Sequence, residues 1–217
     1  MGNLSLVTIV IIAANVLISY KGFNDYGFFD RYKFNVGRIQ AGEKIRLFSS
    51  GFLHVDTMHL FFNMFTLYFF ADVVVSHLGN FNFIVVYVVS LVLGGLLSLY
   101  LHKNDYHYTA VGASGAVTGV LYAAILLEPN MSLYMFFIPI PIPEYIFGIG
   151  YLLYSIYGMK AKVGNIGHDA HFGGAIGGYI TTLILMPMLF KTNLLMVGLL
   201  AVPIVILYVM HKTGKLN

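Results

Sequence analysis

An all-α membrane protein is the fold class this sequence predicts, and three observations carry that reading. Of 217 residues, 59% are hydrophobic and only 10% charged, too little charge to clothe a soluble domain of this length. The charges gather in connections, and the apolar runs between them approach or exceed the roughly 18 residues that read as a membrane-crossing helix. Those runs are also laced with glycine, alanine and serine, the residue types that let membrane helices touch closely.

Taken in order, the first predicted helix covers about Leu4 to Tyr20. No basic residue precedes it and no small-x-small cleavage pattern follows before Lys21, so it reads as a retained helix and not a signal peptide. Lys21 to Val55 is a long connection. Its aromatics (Phe28, Phe29, Tyr32, Phe34) interleave with Arg31, Lys33 and Arg38, a pattern that suits a segment lying in the interface. The second helix starts near Asp56 or Thr57, both good N-cap types, and runs to about His77. Gly79-Asn80 predicts a turn, and the third helix follows over about Phe81 to Leu101. After a polar loop, the fourth covers about Val111 to Leu127 and ends before Pro129, which cannot continue it. Ile138 to Pro143 alternates Ile with Pro and is predicted to be extended. A fifth helix over about Glu144 to Tyr157, a loop over Lys160 to Asn165, a sixth helix over about Gly167 to Phe190 and a seventh over Leu194 to Met210 complete the chain. The whole is expected to form a single integral membrane domain, residues 1–217, with no internal repeat of the kind inverted-repeat transporters carry.

Cysteine is absent, which excludes disulfides, thiolate metal sites and a cysteine nucleophile. The net charge of +3 comes from basic residues scattered through loops, a topogenic pattern that gives no support to nucleic-acid binding. Asp72 is an acid within an apolar helix: either a functional group or a residue close enough to the helix end to reach interfacial water.

The chemistry-bearing residues fall in three groups. Ser114 lies in Gly112-Ala113-Ser114-Gly115-Ala116. Small residues there serve helix packing unaided, and the sequence does not match the Gly-x-Ser-x-Gly elbow that joins a strand to a helix. His171 lies in Ala170-His171-x-x-Gly174-x-x-x-Gly178; a neutral imidazole in a membrane helix can be the base a serine hydroxyl needs. His59 and Asn63 are four apart, hence on one helix face, and both can donate hydrogen bonds, either to a developing oxyanion or simply to a neighbouring helix.

Together, His54-x-x-x-x-His59-x-x-x-Asn63, Gly112-Ala113-Ser114-Gly115-Ala116 and the His171-to-Gly178 segment, in this order and on helices two, four and six, resemble the rhomboid intramembrane serine proteases. The resemblance covers roughly Leu47 to Phe190. It implies a rhomboid-like six-helix core, about residues 4–190, plus one extra C-terminal transmembrane helix, about 194–210. It implies Ser114 as nucleophile and His171 as general base, without an aspartate. It further implies an oxyanion hole from His59, Asn63 and the Ser114 amide, with Gly112 shaping the backbone beside the nucleophile. His54 and Arg46 would organise the first loop, and Gly174 and Gly178 would pack helix six on helix four. Implied partners are transmembrane protein substrates within the bilayer; no cofactor, metal or nucleic acid is implied. The position one turn after the serine, often Tyr in the family and stacked on the histidine, is Thr118 here.

Three rival readings accompany this one. A catalytically inactive, client-binding relative would lose Ser or His, and this chain keeps both. A metal site built from His54, His59, His168 and His171 lacks an acidic ligand, since Asp56 and Asp169 sit near helix starts. A transporter is disfavoured by the scarcity of intramembrane charge. Asp169, two residues before His171, should point away from it. The family's topology puts the N-terminus in the cytoplasm and the active-site mouth outside, in a cell (inner) membrane. The positive-inside rule points the other way, because that orientation leaves Lys191 as the one internal basic residue of the loops. Water would reach Ser114 roughly 7 Å below the end of its helix, at 1.5 Å per residue, through a cavity lined by His54, His59, Asn63 and His168.

Overall fold

The computed structural model describes residues 4–135, 138–161 and 167–215. The fold is the helical membrane fold expected. Helix α1 (Leu6–Asn24) begins behind Ser5, whose hydroxyl accepts from the Thr8 amide. The first connection folds into short pieces: α2 (Tyr26–Tyr32), strand β1 (Phe34–Asn35), α3 (Val36–Gln40), α4 (Arg46–Ser49) and a 3₁₀ turn at Ser50–Phe52. It is not simply a surface strap, because Phe34, Val36 and Ile39 turn inward and are buried as a small core of their own.

Predicted helices two and three form one kinked element, α5 (Thr57–Leu101). Asp56 caps it by accepting from the His59 amide at 2.7 Å, and Gly79 breaks it with φ 79° and ψ 167°, a backbone open to glycine and strained for other residues. Helix α6 (Ser114–Leu127) starts three residues later than the hydrophobicity suggests. Thr109–Ala110 instead forms strand β2, antiparallel to β1, and Gly112 adopts φ 131°, which no helix accommodates. The Ile/Pro run is extended as predicted, but as strand β4 (Ile138–Pro143) of a hairpin with β3 (Ser132–Met135). In a two-stranded hairpin every strand is an edge, so its prolines displace no central ladder. Helix α7 (Glu144–Ala161) reaches past Lys160, where a loop was expected; residues 162–165 of that expected loop lie outside the described residues. Helix α8 (His168–Leu185) stops short of the predicted Phe190, because Pro187 disfavours helical backbone before it. A single turn, α9 (Leu189–Thr192), leads into α10 (Leu194–Lys212).

Among the described residues, three helices are long and apolar enough to cross a membrane by length and composition: α1, the kinked α5 and α10. Helix α6, with 14 residues, is shorter, yet every residue from Gly115 to Leu127 is buried. It is the axis of the protein.

Helices α5, α6 and α8 meet around that axis at backbone level. A Cβ on Gly174 or Gly178 would collide with the carbonyls of Gly115 and Gly119 on α6. On the neighbouring face of α8, a Cβ on Gly177 would lie 2.8 Å from Ser90 Cα of α5, and one on Gly94 of α5 would lie 2.8 Å from the Ala170 carbonyl. Small residues thus let three helices share surfaces that side chains would hold apart, which is how membrane helices gain dispersion contact where lipid offers no hydrophobic drive. Helix α1 is tied to this unit by a buried hydrogen bond in which Asn15 Nδ2 donates to the Tyr87 hydroxyl at 3.2 Å.

Candidate active site

The site begins with the start of α6. Strand β2 and the positive φ of Gly112 bring the chain to a sharp turn, and Ser114 is the first helical residue after it. A strand therefore does precede the serine, and the expectation of a serine lying five residues along a helix is replaced by a strand–turn–helix arrangement. Helix N-termini leave their first amides without intrahelical acceptors. The amides of Ser114 and its successors thus face the mouth of the helix with the positive end of its dipole.

The backbone before Ser114 is pinned from behind. The Gly112 amide donates to the Ser50 carbonyl at 3.0 Å, and the Ala113 amide donates to His54 Nε2 at 3.3 Å. His54 is fully buried; its Nδ1 pairs with Ser19 Oγ at 2.8 Å, and that hydroxyl donates to the Phe52 carbonyl at 2.9 Å. With Nε2 accepting from an amide, Nδ1 carries the proton. Burial is the main reason the His54 pKa falls to about 3; nearby His59 lowers it further and Asp56 opposes. His54 stays neutral and links α1, the first loop and the turn before Ser114.

His59 lies against that turn. A Cβ on Gly112 would come within 2.7 Å of the His59 ring, so glycine is required there by space as well as by φ. The ring sits edge-on to His54 with centroids 4.9 Å apart, and its Nδ1 is buried without a hydrogen-bond partner among the described residues. One turn on, Asn63 spends one amide hydrogen on the His59 carbonyl at 2.9 Å and keeps another for the cavity.

Ser114, His171, His59, Asn63 and Gly112 all line one cavity of about 460 Å³, walled on one side by Phe62 and Thr66 of α5 and on another by Phe147 and Tyr151 of α7. His54 and His168 do not line it, contrary to expectation: His54 is behind the turn, and His168 packs edge-on to Tyr154 with centroids 5.5 Å apart. Arg46 does not line the cavity and is buried. It binds Glu43 at 2.7 Å and donates to the Asp30 and Lys33 carbonyls at 2.8 and 2.9 Å, which folds the first loop around a single guanidinium. Gly174 and Gly178 are on the α6–α8 contact, not on the cavity. Asp169 points away from His171, accepting from the Tyr108 hydroxyl at 3.3 Å and facing His102 at 3.5 Å. Asp72 is half-buried on α5 and is not part of the cavity wall.

Residues 41–188 match the model of the Rhomboid domain, about two thirds of the chain. The chain belongs to the rhomboid family. Similar relatives are RHOMBOID-like protein 12, mitochondrial, of Arabidopsis thaliana, 27% identical over 77% of this chain and 54% of its own length; Rhomboid protein 1, mitochondrial, of Saccharomyces cerevisiae, 30% identical over 63% of this chain and 40% of its own; and Rhomboid protease GluP of Bacillus subtilis, 29% identical over 65% and 26%. The matched region spans about half or less of these rhomboid relatives.

One cavity residue, Tyr151, was not singled out from the sequence as a partner of His171. Tyr151 of α7 lies with its hydroxyl 2.9 Å from His171 Nδ1 and its ring 5.3 Å from the imidazole at an interplanar angle of 29°. Thr118, on the turn after Ser114, donates to the Ser114 carbonyl at 2.7 Å. Nothing in the α7 sequence marks Tyr151 among its many aromatics, because only the docking of α7 on α8 gives it a role.

Proposed function

We propose that this rhomboid-family chain is an intramembrane serine endopeptidase acting on transmembrane-helix substrates, and that it forms a single membrane domain. The observation that carries the proposal is the convergence of Ser114, at a helix N-terminus, with His171, His59 and Asn63 on one cavity.

In this mechanism His171 Nε2 takes the Ser114 proton as Oγ bonds to the substrate carbonyl carbon. The carbonyl electrons move to oxygen, and the oxyanion is met by the Ser114 amide with His59 and Asn63. Collapse breaks the C–N bond, and His171 returns the proton to the leaving amine. Water, deprotonated by the same imidazole, then releases the acyl group and restores Ser114. Helix α6 is about 21 Å long against a hydrocarbon core of about 30 Å. With Leu127 at the opposite boundary, Ser114 lies roughly 9 Å below its own face. That depth comes from the shortness of α6, not from helical turns above the serine. A substrate helix must unwind to offer a peptide bond there, since an intact one satisfies its backbone internally.

The test is cleavage of a reconstituted model transmembrane substrate. Ser114→Ala and His171→Ala should each fall below about one thousandth of wild-type turnover, with thermal melting unchanged. Folded wild-type protein that neither cleaves nor labels with a fluorophosphonate would refute the proposal. A cell (inner) membrane is the proposed location, with the active-site mouth outside. Two of the relatives above carry mitochondrial names, so membrane fractionation, with a reporter fused after Asn217, distinguishes the locations and reads the orientation.

A further inference from the structure

A dyad without aspartate leaves one requirement open. His171 must carry its proton on Nδ1 so that the Nε2 lone pair faces the serine. In a triad a carboxylate enforces that tautomer, but Asp169 is engaged with Tyr108 and His102 and does not supply it. The Tyr151 hydroxyl, at 2.9 Å, is the group nearest to Nδ1, and it is farther from Nε2, at 3.5 Å. A hydroxyl can either give or accept a proton, so its effect depends on where its own hydrogen goes. A serine activated through Nε2 leaves Nδ1 to carry the ring proton, and the Tyr151 oxygen then accepts it.

We propose that Tyr151 is a positioning residue for His171. Its oxygen accepts from His171 Nδ1–H, and that pairing fixes the Nε2-basic tautomer. The same residue supplies the ring against the imidazole that a tyrosine at 118 would otherwise supply. Threonine at 118 and tyrosine at 151 are therefore two halves of one arrangement: a small residue on α6 opens the space, and α7 fills it. Because Tyr151 belongs to α7, His171 is oriented only while α7 is docked.

The inference rests on the protease reading, and its test has one arm that does not. In ¹⁵N spectra of full-length Ser114→Ala protein in detergent, at a pH where the imidazole is neutral, the His171 ring should be protonated on Nδ1. Tyr151→Phe in that background, which keeps the ring, should give a mixture of tautomers. With Ser114 intact, Tyr151→Phe should lose about 10-fold in kcat, the factor one ordinary hydrogen bond represents, with KM within about 2-fold. An Nε2-protonated ring in the otherwise unmodified protein overturns the pairing whether or not the variant folds. So does a Tyr151→Phe protein with an unchanged tautomer and unchanged kcat. If wild type cleaves nothing, the protease reading fails, while the spectra still decide the pairing.

Discussion

Helices α5, α6 and α8 are held together differently from α7 and α10. Within the first group, glycines bring backbone against backbone: Gly174 and Gly178 on α6, Gly173 and Gly177 on α5, Gly94 back onto Ala170. In the second group contact is made by side chains. Gly150 of α7 and Gly198 of α10 have nothing within 4 Å of a Cβ position, and Leu153, Tyr154 and Tyr157 of α7 are exposed to the surroundings. Ser114 and His171 both belong to the tight group, yet the group nearest His171 Nδ1 belongs to the looser one. Ser114 is thus held by backbone packing, while the orientation of His171 depends on a peripheral helix.

The largest effect should come from breaking the tight side. Gly174→Val places a branched side chain where the Gly115 carbonyl now lies, and no rotamer avoids backbone. Overpacking typically costs about 1–3 kcal/mol and more where nothing can yield, so the variant should lose its cooperative melt or melt far below wild type. A smaller effect should come from the clamp behind Ser114. His54 is neutral when folded, with its pKa lowered to about 3 from an ordinary 6.5. Between those values the unfolded chain binds a proton that the folded chain refuses. The contribution is therefore complete above about pH 6.5 and lost as pH falls toward 3, at about 1.4 kcal/mol per pH unit. Melting followed from pH 7.5 to 5 should show wild type losing stability more steeply than His54→Gln, which should also start lower for want of the Ala113 contact. Equal slopes would remove His54 from the account. The smallest effect belongs to the loose side: Gly150→Ala should change stability by less than about 1 kcal/mol, and upward, because alanine favours helix and meets no neighbour. A Gly150→Ala variant as damaged as Gly174→Val would mean that the two regions do not differ in packing.

Much of this was legible beforehand. Apolar runs and their interruptions gave the helices, Gly79 the break and Asp56 the cap, because each acts through its own backbone, whereas α8 was carried past Pro187 to Phe190 and ends at Leu185. The small-residue spacing of Gly174 and Gly178 gave a packing face for the same reason. The start of α6 was misplaced because hydrophobicity continues through Ala110 to Ala113, while Gly112's positive φ is set by pinning from Ser50 and His54, residues about sixty positions away. His54 and His168 were expected in the cavity because histidines in a membrane protein attract a polar reading; which way a ring turns is a matter of packing.

The sequence by itself determined the class of protein, the order of its helices, the family motifs and the chemical types of the serine, the histidines and the asparagine, since composition and periodicity are local properties of the chain. The tertiary structure decided that Ser114 opens a helix, that His54 and His168 stay off the cavity wall, and that Tyr151 lies beside the imidazole. Each depends on how helices distant in sequence dock, and docking is fixed by the shapes of the surfaces they bury together.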